Sequence, residues 1–233
     1  MALPFFYFSG YSGSEKQVML DEETSRHIIQ VLRMKEGGQL NLTDGKGNLL
    51  TCEITATGKR SCTVEITGIR KQDPGSKNIS VAISLLKNPS RFEWFLEKAT
   101  EIGVREIIPL ICDRTEKEKF RFSRMNAICI SAMLQSQQGW LPLLHEPVAY
   151  NQAVKNSAAA LKLIAHCDPG DKPRLTDQPA GSSVIILIGP EGDFTPAEIE
   201  LALQNGFRPV SLGETRLRTE TAGVVAAALL ANS

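Results

Sequence analysis

The sequence predicts an α/β fold with a mainly parallel sheet, preceded by a small β-rich domain. Beyond residue 78, strand-like apolar runs alternate with helical patterns, which is typical of a parallel sheet with crossover helices. Before residue 75, short alternating runs separated by turn residues favour β structure. The charged segment 70–78, which contains Pro-Gly, lies between the two patterns. We therefore expect one domain at residues 1–73 and a second at 74–233.

The N-terminal segment carries mostly strand signals. "LPFFYF" is too short for a signal peptide and lacks a basic flank, so an edge strand is expected there. "QLNLTDGKGNLLTCEIT" predicts a hairpin around Asp44 and Asn48. Cys62, Val64 and Ile66 alternate with polar residues, as in a half-buried strand.

One helix is expected within this β-rich segment. Asp21 is placed to cap it, and Ile28, Val31 and Leu32 would form its apolar face. The Gly-Gly pair that follows would end it.

The second domain shows the alternation that predicts a parallel sheet. Strand-like runs occupy five segments: 79–86, 106–111, 160–167, 183–189 and 209–213. Phe92, Phe95, Leu96 and Ala99 fall on one face of a helix that Gly103 would end. Further helical patterns cover 123–138, 196–205 and 222–231. The last of these is apolar on every side, so we expect it to pack inside the protein.

Composition narrows the class of protein. Lys plus Arg and Asp plus Glu both number 26, so net charge gives no sign of a polyanionic partner. The five cysteines form no C-x-x-C pair, which argues against a zinc site and a disulfide framework and favours a cytoplasmic protein. No apolar run reaches transmembrane length, so no membrane association is expected.

The stretch "VIILIGPEGDFTPAEIE" combines a buried strand, a tight loop and a helix start. The apolar run ends at Gly189 and Pro190, and Thr195 with Glu198 forms a capping-box pattern. The loop lies at the carboxyl end of its strand, where open α/β sheets bind ligands. An ordinary β-to-α connection is the alternative interpretation.

A second loop, "SLGETRLRTETAG", also follows a short strand and precedes a helix. Thr219 is the expected N-cap of that helix. Arg216 and Arg218 lie in the loop, and they would either pair with Glu214 and Glu220 at the surface or serve a ligand.

The two loops together, "IGPEGDFTPAEIE" and "LGETRLRTETA", resemble the 16S rRNA uridine-N3 methyltransferase family, a branch of the SPOUT or trefoil-knot methyltransferases. "RHIIQVLRMKEGG" and "LTDGKGN" are similar to its N-terminal PUA-like RNA-binding domain. "LLKNPSRFEWFLEKATEIGVREIIPL", "RTEKEKF" and "SAMLQSQQGWLP" occupy the places of its middle motifs. The resemblance implies a SPOUT domain with a C-terminal knot at 74–233, a homodimer that packs through the last helix, and 16S rRNA of the small ribosomal subunit as substrate.

The resemblance also implies S-adenosylmethionine as cofactor, bound by the two loops, and no metal. The implied cofactor-binding residues are Leu187, Ile188, Gly189, Pro190, Gly192, Leu212, Gly213, Leu217, Arg218 and Thr219. Two departures stand out, since the family has a glycine at Asp193 and an arginine at Gln138.

The reaction needs an anionic uracil N3, so the site must favour loss of its proton. Arg218 is the candidate for the stabilising charge. Glu191 is the candidate to orient the base or receive the proton, unless it only braces the loop. Basic residues that could contact RNA are Arg26, Arg33, Arg114, Lys117, Lys119, Arg121 and Arg124. The alternatives are a SPOUT enzyme acting on another RNA such as tRNA, and a non-catalytic RNA-binding ribosome assembly factor.

Overall fold

The computed structural model describes residues 3–116, 119–168, 170–178 and 183–232. The chain divides into two compact units. The N-terminal unit comprises Met1–Pro74 and Met133–Leu141, and the C-terminal unit comprises Gly75–Ala132 and Pro142–Ser233. The predicted division between residues 73 and 74 does not anticipate that the segment Met133–Leu141 groups with the first unit.

The N-terminal unit is built on a five-stranded mixed sheet in the order β1-β3-β4-β5-β2. The strands are β1 Phe5–Tyr7, β2 Gln17–Met19, β3 Gln39–Thr43, β4 Asn48–Thr57 and β5 Cys62–Lys71. β1 is an edge strand parallel to β3, while the other pairs are antiparallel. The predicted hairpin joins β3 to β4, where the Asp44 carboxylate accepts hydrogen bonds from the backbone N–H groups of Lys46 and Asn48.

The helical segment of this unit differs from the prediction. Helix α1 spans Glu22–Arg26, with Asp21 as its cap, and a π-helical turn covers His27–Val31. Ile28 is fully buried, but Val31 is 65% exposed and Leu32 is 41% exposed. The predicted apolar face is therefore wrong beyond Ile28, because a π turn holds more residues than an α turn and rotates those that follow away from the core.

The C-terminal unit contains the predicted parallel sheet, in the order β12-β10-β11-β6-β7-β8, with β9 also paired to β7. Its strands are β6 Asn78–Ser84, β7 Glu106–Ile111, β8 Leu143–Leu144, β9 Val148–Ala149, β10 Leu161–Ala165, β11 Ser183–Ile188 and β12 Arg208–Val210. Every pair in this sheet is parallel. The mainly parallel α/β architecture is confirmed, although the sequence analysis missed the short strands β8 and β9.

Among the residues that the structure describes, five helices accompany this sheet: α2 Pro89–Ile102, α3 Phe122–Gln135, α4 Tyr150–Asn156, α5 Pro196–Gln204 and α6 Thr219–Ala231. In α2 the predicted apolar face is buried, and Gly103 ends the helix with a left-handed φ of 95°. α4 was not predicted, whereas α5 begins and ends within one residue of the expected bounds.

Helix α6 packs against α2 and against strand β6. A Cβ added at Gly223 would lie 2.7 Å from Phe95 Cε2 and 2.9 Å from Ile83 Cδ1, so glycine is needed for this close approach. The opposite face of the helix is only partly covered, with Val224, Val225 and Leu229 half-buried. Within a single chain, α6 is therefore packed on one face and half-exposed on the other, whereas packing on every side was expected.

The connection from β10 to β11 crosses the segment that leads to α6. Arg174 forms a parallel bridge with Ser211, and the Leu175 N–H donates to the Ser211 carbonyl at 2.9 Å. A 3-10 turn at Leu175–Asp177 follows and contacts α6. The carboxyl ends of β10, β11 and β12 therefore share one edge with the start of α6.

Candidate functional site

A cavity of about 890 Å³ opens at the carboxyl ends of β10, β11 and β12. Its walls come from three connections, at residues 165–168, 170 and 172, at 188–191 and 193, and at 210–219, together with Arg91 of α2 and Ala222 of α6. Because the three strands are neighbours in a parallel sheet, loops far apart in sequence meet at this edge.

The loop after β11 is a tight, internally bonded turn. A Cβ at Gly189 would lie 3.1 Å from the Phe194 backbone nitrogen, so the absence of a side chain permits the close approach of this backbone. The Asp193 N–H donates to the Pro190 carbonyl at 2.9 Å and closes the turn. The glycine therefore serves the shape of the loop itself.

Asp193 occupies the position where the resembled family has glycine. Its φ of 64° is left-handed, a region that glycine enters without strain and that aspartate enters more readily than most residues. Its carboxylate accepts from the Cys167 N–H at 2.7 Å and from the Phe194 N–H at 2.8 Å. The side chain thus links the β11 loop to the β10 loop. The left-handed backbone conformation that it adopts there is unfavourable for a residue with a Cβ.

Arg114 holds the same loop from the other side. Its Nη1 donates to the Gly192 carbonyl at 2.6 Å and lies 3.5 Å from the Phe194 carbonyl. A Cβ at Gly192 would meet the Arg114 side chain at 3.2 Å. Gly192 therefore faces Arg114 and lies outside the cavity lining.

The predicted capping box at the start of α5 is confirmed. The Glu198 N–H donates to the Thr195 hydroxyl, and the Glu198 carboxylate accepts from the Thr195 N–H at 2.8 Å. Glu198 is buried and also accepts from the Asp113 N–H at 2.9 Å. One carboxylate thus joins the helix start to the segment after β7.

The loop from β12 to α6 is much less bonded. Ser211 and Gly213 bond one another locally, and Gly213 has a φ of 140° with no atom near its missing Cβ. Within the described ranges, the backbone N–H groups of residues 214–217 donate no hydrogen bond. These groups remain available to a ligand.

The two arginines of this loop do not pair as the surface alternative suggested. Glu214 lies 3.7 Å from Arg174, and Glu220 lies 3.7 Å from Arg91. Arg216 and Arg218 are exposed, and their side chains make no hydrogen bond or ion pair with any residue that the structure describes.

The expected N-cap of α6 is wrong by one position. The helix begins at Thr219, and Arg218 is the cap residue without a side-chain capping bond. Thr219 is buried and lines the cavity.

The residues of the third wall, which follow β10, were not predicted to belong to the site. The Lys172 ammonium donates to the carbonyls of His166 and Asp168 and lies 3.4 Å from His166 Nδ1. Burial, together with the Lys172 charge, lowers the pKa of His166. Burial also raises the pKa of the Cys167 thiol, which therefore stays protonated near neutral pH. The strand predicted at 160–167 ends at the ligand-binding edge of the sheet. That position could have identified these residues as part of the site.

Most of the residues proposed for the cofactor line the cavity. They are Ile188, Gly189, Pro190, Leu212, Gly213, Leu217, Arg218 and Thr219, together with the proposed catalytic residue Glu191. Leu187 belongs to the hydrophobic core, and Gly192 packs on Arg114. Glu191 is exposed at the rim. The pKa of Lys87 is raised first by its hydrogen bond and ion pair with Glu116, and the Glu191 charge adds to this shift.

The residues proposed for RNA contact are dispersed. Arg124 forms a two-point ion pair with Glu93, with nitrogen–oxygen distances of 2.6 and 2.9 Å, and Arg114 is engaged with the β11 loop. Lys119 and Arg121 are exposed, and their side chains form no ion pair or hydrogen bond inside the described ranges. Arg26 and Arg33 are exposed on the N-terminal unit, and Lys117 lies outside the described residues.

Two family models match different parts of the chain. Residues 73–231 match the model of the RNA methyltransferase domain family. The chain belongs to this family of RNA methyltransferases. Residues 20–67 match the RNA methyltransferase PUA domain. The chain therefore combines the SPOUT, or trefoil-knot, methyltransferase fold with a PUA-like β domain, as the resemblance implied.

Individual RNA methyltransferases support the same assignment. A ribosomal RNA small subunit methyltransferase E from Synechocystis is 29% identical over 221 residues, covering 92% of this chain and 72% of that protein. The Neisseria gonorrhoeae enzyme of that name, solved bound to S-adenosylmethionine, has a TM-score of 0.87 at 30% identity, covering 97% of this chain and 95% of its own. A Legionella pneumophila protein, solved with the same cofactor, has a TM-score of 0.88 at 32% identity, with 99% and 97% coverage.

Neither a metal site nor a membrane span is found among the described residues. Within the described ranges, His, Cys, Asp and Glu side chains do not gather in any group of three that could hold a metal ion. The helices described there also lack the combined length and apolar character needed to cross a bilayer. All five cysteines are free thiols, four of them buried.

Proposed function

We propose that this protein transfers a methyl group from S-adenosylmethionine to N3 of a specific uridine in 16S rRNA of the small ribosomal subunit. One observation carries the proposal. The two loops that resemble the uridine-N3 methyltransferases meet around a single cavity in a chain of the RNA methyltransferase family.

The cavity suits S-adenosylmethionine in size and in chemistry. About 890 Å³ is within the range of ordinary small-molecule sites. Ile188, Val210, Leu212 and Leu217 supply apolar surface for an adenosine ring. The backbone N–H groups of residues 214–217, which have no partner among the described residues, supply hydrogen-bond donors.

When bound, the cofactor supplies an electrophilic methyl group for an in-line displacement. The protein has to favour the deprotonated form of uracil, because neutral N3 has no free lone pair to attack with. Arg218 stays charged at any working pH and lies at the cavity wall, so it serves to stabilise the N3 anion. Glu191 at the rim serves to orient the base or to receive its proton.

Basic side chains on each unit are the proposed RNA contacts. Lys119 and Arg121 are the exposed cations closest in sequence to Arg114, which holds the β11 loop. Arg26 and Arg33 provide exposed charge on the PUA-like unit, including Arg33 in a left-handed turn with φ 54°. Phosphate contacts of this kind position an RNA without reading its sequence. The target uridine itself has to be turned out of its stack to enter the cavity.

A methylation assay with defined substrates tests this function. Purified protein and S-adenosylmethionine are incubated with small ribosomal subunits, with free 16S rRNA and with bulk tRNA, all from cells lacking the protein. Mass spectrometry of nucleosides should show 3-methyluridine in 16S rRNA at a single position. Methylation of tRNA alone would replace the substrate, and cofactor binding without methylation of any RNA would support an assembly factor instead.

We further propose that the protein acts as a homodimer that buries the second face of α6. Val224, Val225 and Leu229 leave an apolar strip half-exposed on a single chain. Sedimentation at micromolar concentration should give the mass of two chains, and Val225→Glu should shift it to one. A wild-type chain that sediments as a folded monomer would contradict the dimer.

A further inference from the structure

Arg91 is a cation of the cavity wall for which the sequence gave no role. It lies in the first turn of α2, three residues after the capping residue Asn88, and its side chain reaches the cavity edge from outside the three strand-end loops. Its guanidinium donates no hydrogen bond to any residue that the structure describes.

The partner of Arg91 is a buried carboxylate from a distant part of the chain. Glu220, in the first turn of α6, has a side chain only 8% exposed, and its Oε1 lies 3.7 Å from Arg91 Nε. Glu220 Oε2 is buried and has no hydrogen-bond partner among the described residues.

This arrangement is costly for a purely structural contact. A carboxylate out of water needs both of its oxygens satisfied, and one loose ion pair does not achieve this. Stabilisation of Glu220 by the start of α6 offsets only part of the cost. Incompletely satisfied buried charges beside a cavity are typical of functional sites.

We propose that Arg91 binds an anionic oxygen of the ligand in this cavity, and that Glu220 is the positioning residue that holds Arg91 at the wall. The inference rests on the proposed function, which supplies two ligand groups of the required chemistry. One is the α-carboxylate of the methionine part of the cofactor, and the other is an oxygen of the deprotonated uracil. An arginine matches either group through two parallel N–H donors.

The test must separate ligand binding from folding, because removing Arg91 alone leaves Glu220 buried without a counter-charge. Two variants are therefore compared: Arg91→Met, and Arg91→Met combined with Glu220→Gln, which removes both charges and keeps the volume. Lys98→Gln is the matched control, since Lys98 is a cation on the same helix that pairs only with Glu97 and Glu101 of that helix. Thermal melts identify which variants fold.

Calorimetry with two probes distinguishes the source of the anionic oxygen. S-adenosylhomocysteine carries the carboxylate, whereas 5′-methylthioadenosine lacks it. If Arg91 binds the cofactor carboxylate, the double variant should bind S-adenosylhomocysteine about tenfold or more weaker, with 5′-methylthioadenosine unchanged. If Arg91 binds uracil, affinity for both probes stays at the wild-type value, and single-turnover methylation of small subunits falls by a similar factor.

Either pattern supports the proposal, and the Lys98→Gln control should show neither. Equal affinities together with normal single-turnover rates in a folded double variant would overturn it. Glu220→Gln alone should reproduce the same selective loss at a smaller amplitude, whereas a merely structural Glu220 would change only the melting temperature. Wild-type protein that binds neither probe would count against the proposed function, and not specifically against Arg91.

Discussion

Two loops form facing walls of the same cavity, yet they are held in opposite ways. The loop after β11 and the helix start that follows it are bonded to two other segments of the C-terminal unit: the segment after β7, through Arg114 and through Glu198, and the segment after β10, through Asp193. The loop after β12 carries two arginines whose side chains are unpaired and a run of backbone N–H groups without partners among the described residues. The first wall is therefore held in place by bonds within the protein, whereas the second has hydrogen-bonding groups that are open to solvent or to a ligand.

The difference in bonding between the two loops suits them to different roles at the same edge of the sheet. A preformed wall fixes where a cofactor lies, because its shape depends on bonds within the protein. A wall with free donors and positive charge can respond to the charge that develops during reaction. The predictions below test each wall in turn.

The largest effect is expected from Arg218→Ala in the less bonded loop. Because this arginine has no structural partner, its removal should leave the melting temperature and cofactor affinity near wild type. Single-turnover methylation should lose about 2–4 kcal/mol of transition-state stabilisation, the scale of one preorganised donor. Rates should recover in part at high pH, where solvent helps to deprotonate uracil.

Arg174→Ala is the matched control for that experiment, since the Arg174 side chain forms an exposed ion pair with Glu214 and lies outside the cavity lining. Normal rates in Arg218→Ala would show that Arg218 is not catalytic. Rates equally low at both pH values would indicate that it positions RNA.

A smaller effect is expected from Asp193 in the bonded loop. Asp193→Ala should lower the free energy of unfolding by about 1–3 kcal/mol, because two backbone N–H groups lose their acceptor. Asp193→Gly also lacks the acceptor, but glycine adopts the left-handed φ without strain. The glycine variant should therefore be more stable than the alanine variant by about 1–2 kcal/mol. Chemical denaturation measures both, and equal stabilities would contradict the assigned backbone strain.

The smallest effect concerns the β10 loop, to which Asp193 is tied. The pKa of His166 in the folded protein lies below its ordinary value of 6.5, because of burial and then the Lys172 charge. The unfolded chain therefore binds a proton first, and the stability present above pH 6.5 is lost as pH falls toward the lowered pKa. His166→Gln should reduce the loss of melting temperature between pH 7.5 and pH 5.5. An identical pH profile in the variant would show that His166 does not contribute.

Local sequence patterns predicted those parts of the fold that depend on interactions between residues close in sequence. The Thr195–Glu198 capping box, the left-handed Gly103 and the apolar face of α2 were all predicted from spacing alone. The carboxyl-edge location of both loops also followed, because alternating strands and helices imply a parallel sheet.

The features that were missed depend on contacts between distant residues. The Arg91–Glu220 pair and the Asp193–Cys167 bond join segments that no local pattern relates. The π turn after α1 rotates Val31 and Leu32 to the surface, although their spacing is that of an apolar helix face. Gly192 has the expected position in the loop, but only the fold shows that it faces Arg114.

Hydrogen exchange with and without S-adenosylmethionine tests most directly the central claim that this cavity is the cofactor site. Amides of residues 214–217 should exchange much more slowly with the cofactor bound, because their free N–H groups gain partners. Amides of residues 193–195 should change little, since those N–H groups are already bonded. Unchanged exchange at 214–217, or protection confined to the N-terminal unit, would contradict the account.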